Sequence, residues 1–177
     1  MTRESFIIRK LDITEINDLY EELKLNGSLW GPHRTNSSEQ RRSALKDGKS
    51  IIVQWCDNAA KISHQQWDLF PTTHAIIKRI VDGANIGRVY WHRLLPGENI
   101  LPHSDEAVPF VKSGKLQTRY QIYLDVDEDV LIYFGGDTIK GSVIENSVID
   151  FPLKTLHYYE NKSDKDLYLL VFDTLYN

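Results

Sequence analysis

Apolar residues recur at helical spacing in two stretches of the N-terminal half. In TEINDLYEELKL, Thr14 to Leu25, the residues Ile16, Leu19, Tyr20 and Leu23 fall on one face of a 3.6-residue helix. Thr14 is the predicted N-cap, and Gly27 is expected to end this helix. In PTTHAIIKRIV, Pro71 to Val81, Ile76, Ile77 and Ile80 share a face and Gly83 lies beyond the end, so a second helix is predicted. Ser50–Val53 reads as a strand, and the polar stretch Ser37–Leu45 as a short helix or loop. From residue 86 the pattern changes to short β-rich runs between turn residues. Strands are predicted near Ile86–Leu95, Thr118–Asp125, Val130–Phe134, Gly141–Glu145, Ser147–Asp150, Thr155–Glu160 and Leu167–Thr174. Pro96-Gly97, Gly135-Gly136 and Asn161–Asp164 mark the turns. Many short strands with two helices ahead of them predict a mainly β protein, a jelly roll buttressed by helices. The expected organisation is one domain over 1–177, with 1–85 as a mixed α/β buttress and 86–177 as the β core.

Composition changes this picture little. A chain of 177 residues can bury a proper core. A net charge of −4 argues against a dedicated nucleic-acid binder, which carries a basic excess. Cys56 is the single cysteine, so no internal disulfide can form and a reducing, cytoplasmic setting is expected. The segment MTRESFIIRKLD lacks the apolar core of a signal peptide, and no run is long enough to span a bilayer.

The chemistry concentrates around His103-Ser104-Asp105. Read as a strand, this triplet aims His103 and Asp105 at one point, because residues two apart share a face. His157 lies on a different predicted strand. Two imidazoles and one carboxylate form the facial triad of non-heme iron oxygenases, which leaves coordination positions open for other molecules. An isolated His-x-Asp carries little weight; its context carries more. Pro-Gly precedes the triplet in LLPGENILPHSD, a strand with an early arginine follows it in TRYQIYLD, and HYYENKSDKDLYLLVFD begins at the second histidine. The order L-x-P-G, H-x-D, R-x-Q-x-Y and H-x3-N-x-S-D, with a last strand ending in Phe-Asp, resembles the aspartyl/asparaginyl β-hydroxylase-like branch of the 2-oxoglutarate/Fe(II) oxygenases. The resemblance covers about residues 88–173. It implies a double-stranded β-helix of the cupin type, Fe(II) held by His103, Asp105 and His157, and 2-oxoglutarate and O2 consumed with release of succinate and CO2. It puts Arg119, with Gln121 on the same strand face, at the co-substrate.

One position departs from the family pattern. An arginine commonly stands ten residues after the distal histidine, where it binds the far carboxylate of 2-oxoglutarate; here that residue is Leu167. Because a buried carboxylate needs a donor, Arg119 is the expected substitute, with Arg88, Arg93 and Lys165 behind it. Arg88, Tyr90 and His92 alternate on one strand and read either as pocket wall or as an ordinary half-buried strand. His33 and His64 read as surface residues, the tryptophans at 30, 55, 67 and 91 as core or rim, and Asp125–Asp129 as a solvated turn without the calcium-loop pattern. Trp30–Lys49 is expected to be a loop covering the pocket mouth. The function expected is hydroxylation of an Asp or Asn side chain, an amino acid or a small metabolite. A cupin-type metal enzyme that does not use 2-oxoglutarate and a non-catalytic binding module remain as alternatives.

Overall fold

The computed structural model describes residues 7–32, 49–56, 61–105, 114, 116–124, 126–151 and 154–176. Two antiparallel sheets face each other. The larger has eight strands: β1 (Ile7–Lys10), β2 (Gly31–Pro32), β3 (Lys49–Cys56), β4 (Ile62–Gln65), β5 (Asn85–Leu94), β7 (Leu116–Leu124), β10 (Ser147–Phe151) and β12 (Leu167–Leu175). Their spatial order is β1-β10-β7-β12-β5-β3-β2, with β4 also paired to β3. The smaller sheet, in the order β6-β11-β8-β9, comprises β6 (Asn99–His103), β8 (Val130–Phe134), β9 (Asp137–Lys140) and β11 (His157–Asn161). This is the double-stranded β-helix.

Period-two alternation builds two cores from one sheet. On β5, Val89 and Trp91 face the helices α1 (Ile13–Leu25) and α2 (Pro71–Val81), whereas Tyr90 and Leu94 face the small sheet. On β12, Leu170 and Phe172 join the helix-side core; Leu167, Leu169 and Val171 join the inner one. Both faces of this central strand are covered, so nearly all of it is buried. The first 85 residues thus supply four strands of the large sheet as well as both long helices.

Several expectations change at the residue level. The N-cap of α1 is Asp12, not Thr14: its side chain accepts from the Glu15 amide at 2.9 Å, and Glu15 accepts from the Asp12 amide at 3.0 Å. The reciprocal pair satisfies two amides that Thr14, inside the first turn, could not serve. The helix ends at Asn26, whose amide group donates to the carbonyls of Glu22 at 2.9 Å and Leu69 at 2.7 Å, and Gly27 opens a 3-10 turn instead. Gly141–Glu145 is not a strand. Gly141–Ile144 form a short helical turn, α3, that redirects the chain between β9 and β10. A side chain at Gly141 would lie 2.2 Å from Val126 Cγ1 and 2.3 Å from the Asp127 carbonyl, so this close approach requires glycine. Ser37–Leu45, His33 and most of Trp30–Lys49 lie outside the described residues. Trp30 itself packs against Tyr168 on the helix side of the sheet, with ring centroids 6.0 Å apart.

Helix α2 begins at Phe70-Pro71 and has no cap from its own segment. Glu22 of α1 supplies one. Its buried carboxylate accepts from the amide of Thr72 at 2.5 Å, the amide of Thr73 at 3.1 Å and the Thr73 hydroxyl. Glu22→Ala is expected to destabilise the fold by about 2 kcal/mol, since it strips the cap and leaves buried donors unmet. Urea denaturation would measure it, and a loss below about 0.5 kcal/mol would show that water serves as well.

Candidate metal centre

The register between the two strands of the small sheet builds the site. His157 on β11 is the direct cross-strand partner of His103 on β6, so both imidazoles leave the same face, with ring centroids 4.2 Å apart. β6 ends at His103, and Asp105 lies beyond it. The shared strand face inferred from the sequence therefore does not exist; the turn after β6 brings the carboxylate in. Asp105 Oδ1 is 4.0 Å from His103 Nε2, and Oδ2 is 3.9 Å from His157 Nε2. The ligating atoms of all three residues lie within 4.8 Å of one another.

The tautomers follow from the hydrogen bonds. His103 Nδ1–H donates to the Leu101 carbonyl at 2.8 Å, and His157 Nδ1–H donates to the Thr155 carbonyl at 2.9 Å. With Nδ1 carrying the proton, a metal-binding lone pair belongs on Nε2, the atom facing Asp105. Burial pushes the His157 imidazole down to about 4, with Asp105 pulling the other way, so the ring is neutral near pH 7. Burial would raise the Asp105 carboxyl, but Arg119 and the two imidazoles outweigh it and hold it below the ordinary range. Neutral nitrogens and an ionised carboxylate are what a first-row divalent metal requires. His103 is the partly open member, with a side chain 37% exposed against 1% for His157.

The His157 shift has a pH consequence. A folded-state value of about 4 against the ordinary 6.5 means that the unfolded chain binds the proton more readily. The resulting stability is present above pH 6.5 and disappears as pH falls towards 4. It amounts to roughly 3 kcal/mol at most. Melting curves of metal-free protein should drop more steeply across this window than those of His157→Gln; parallel curves would refute the assignment.

Arg119, on β7, is 4% exposed and lies inside the barrel. Its Nη1 meets Asp105 Oδ2 at 2.8 Å, while Nε and Nη2 meet the two oxygens of Asp173 at 2.7 and 3.0 Å. Asp173 is fully buried and is the cross-strand partner of Arg119. The sequence reading did not give Asp173 this role, although the alternation Val171, Asp173 on an inward face was there to signal it. The two carboxylates raise the Arg119 guanidinium well above its ordinary range despite its burial. Two carboxylates against one guanidinium leave a negative charge to face a cation. Gln121, two residues further on β7, accepts from the hydroxyls of Tyr159, at 2.9 Å, and Tyr123.

Other residues of the motif serve the scaffold. Asn161 donates to the carbonyls of Leu94 at 3.0 Å and Lys165 at 2.8 Å and accepts from the Ser163 hydroxyl at 2.7 Å. These bonds set the turn that feeds β12. Leu167 is packed in the inner apolar core. Arg88 lies over the Trp55 ring at 4.1 Å, and Arg93 pairs with Asp166 at 2.5 Å. Lys165 is exposed, 3.8 Å from Asp127. His92 is buried with Nδ1 2.8 Å from the Ser50 hydroxyl, and His64 is exposed on β4.

Residues 12–176 match the model of the family described as Aspartyl/Asparaginyl beta-hydroxylase. The chain belongs to this family. Its fold is similar to that of an oxidoreductase of the 2OG-Fe(II) oxygenase family from Burkholderia pseudomallei, with 14% identity, a TM-score of 0.53, and coverage of 94% of this chain and 93% of the other. It is also similar to a Pseudomonas putida prolyl-4-hydroxylase, with 12% identity, a TM-score of 0.55, and coverage of 94% and 89% respectively. No curated protein matches the chain. Membership of a hydroxylase family agrees with the His-Asp-His cluster, which could hold a metal ion. Among the described residues, no helix is long and apolar enough to cross a membrane.

Proposed function

We propose that this member of the hydroxylase family is an Fe(II)- and 2-oxoglutarate-dependent oxygenase acting on an Asp or Asn side chain, an amino acid or a small metabolite. The observation that carries the reading is the convergence of His103, Asp105 and His157 on one point inside the barrel. The donor set suits Fe(II): two imidazole nitrogens, one carboxylate, and no fourth His, Cys, Asp or Glu in the cluster among the described residues. Bound iron would supply activation of O2 at the expense of the 2-oxo acid. The chain's own residues do the rest. Leu101 and Thr155 fix the imidazoles through their carbonyls. Arg119 orients the Asp105 carboxylate and keeps it ionised. The inner apolar core packs around the strands that carry the ligands. A reducing cytoplasm suits such a centre.

A second reading, a metal enzyme of the same architecture that does without 2-oxoglutarate, draws on Leu167 in the place of the usual arginine. Fe(II)-loaded protein incubated with 2-oxoglutarate, O2 and candidate substrates separates them. Succinate formation with a substrate mass gain of one oxygen supports the first reading; absence of both with retained Fe(II) binding supports the second.

A further inference from the structure

Asp105 is the ligand that the small sheet does not hold. His103 and His157 are fixed as cross-strand partners, whereas Asp105 lies past the end of β6, on a turn outside the ladder. Among the described residues, the donor that meets its carboxylate is Arg119, with Nη1 2.8 Å from Oδ2. Arg119 comes from the large sheet across the barrel, and Asp173 sets its direction. Nε and Nη2 reach Oδ1 and Oδ2 of Asp173 at 2.7 and 3.0 Å. Two parallel bonds to a planar guanidinium fix its plane and its rotation, so the direction of Nη1 is fixed too. Asp173 is itself held from both sides. It is 0% exposed, sits on β12 between β7 and β5, and is the direct partner of Arg119. On its other side β5 carries one extra residue: Phe172 pairs with Val89 and Thr174 with Ile86, leaving Gly87 and Arg88 opposite Asp173. Such a bulge re-aims the side chains beside it. Gly87 permits the close approach, since a Cβ there would lie 3.2 Å from Asp173 Cβ and 3.1 Å from the Leu175 side chain.

We infer that Asp173 is a positioning residue for the metal centre, holding the Asp105 carboxylate towards His103 and His157 through the Arg119 guanidinium. The inference rests on the reading that these three residues bind a divalent metal. Asp173 itself is not a member of the ligand cluster. The contacts run from the middle of the large sheet to the one ligand carried on a turn, so a rigid ladder sets what the turn alone does not. The brace removes side-chain freedom from Asp105 before the metal arrives, and a pre-ordered ligand binds more tightly.

The test is titration with Co(II), whose visible absorption reports the arrangement of ligands around it. Asp173→Asn keeps the size of the side chain and leaves Arg119 and Asp105 balanced one to one. It should weaken Co(II) binding about tenfold, the lower end of what an outer-shell partner contributes. It should also alter the visible bands at saturating Co(II), a readout that neither affinity nor stability moves. Gly87→Ala crowds Asp173 with every charge retained. It should change the same bands and weaken binding about threefold, a partial loss of the same contact. Glu22→Ala, which destabilises the helix layer on the other face of the large sheet, should leave affinity and bands as in wild type. Unaltered bands and affinity in Asp173→Asn overturn the inference, as does an equal change in Glu22→Ala; both leave the metal reading intact. A change in Asp173→Asn with Gly87→Ala indistinguishable from wild type assigns the effect to charge and overturns the positioning role. Gly87→Ala carries the test alone if Asp173→Asn does not fold. Wild-type protein that binds neither Co(II) nor Fe(II) overturns the metal reading itself.

Discussion

Asp105→Ala is expected to lower Fe(II) affinity by at least roughly a hundredfold, beyond the usual effect of losing an outer-shell partner, and with it any turnover. Among the described residues, the carboxylate is the only anionic donor in the cluster. Two imidazoles without it supply no anionic charge to set against a divalent ion. The fold should survive. Arg119 keeps both of its bonds to Asp173, so the pair that remains is balanced one to one. His157→Ala should have the same effect on iron through loss of a nitrogen donor whose tautomer is already set by Thr155. Anaerobic Fe(II) titration beside thermal melting checks both variants. Near-normal iron affinity in either, with the melting temperature unchanged, would mean that the metal centre lies elsewhere.

Arg119→Met is expected to destabilise the protein by about 3–5 kcal/mol, the cost of leaving buried charge without its partner. From the sequence, Arg119 was expected to meet a carboxylate of the co-substrate, so that its loss would raise the Michaelis constant for 2-oxoglutarate and spare iron. The structure directs its N–H groups to Asp105 and Asp173, which predicts a different outcome. Stability should fall, and Fe(II) affinity should fall with it, because the Asp105 carboxyl loses the cation that offsets its burial. Arg119→Lys should recover little: a single ammonium cannot hold both oxygens of Asp173 and reach Asp105. Denaturant midpoints and iron titrations measure the two effects. A variant as stable as wild type that fails only in 2-oxoglutarate binding would return Arg119 to the co-substrate.

The sequence by itself determined the elements whose physics is local. Pro71–Val81 is a helix with the limits read from its periodicity, and Val130–Phe134 is a strand with the limits read from its β-rich run. The alternation on β5 and β7 set which residues share a face, because side-chain direction reverses at each residue whatever the partner strand. The residue types at 103, 105 and 157 already named a metal chemistry. Whatever depends on a partner distant in the chain was decided only by the tertiary structure. Gly141–Ile144 forms a helical turn that brings Gly141 so close to Val126 and Asp127 that no side chain fits there. The N-terminus of α2 is capped by Glu22 from another helix. The carboxylate of Asp105 arrives by a turn, not along the strand that carries His103. The partner of Arg119 is Asp173 because antiparallel register sets β7 beside β12 at those two residues. A sequence pattern reports which face a side chain occupies, but an ion pair or a metal site depends on which residues of other elements meet that face, and register and packing alone decide this.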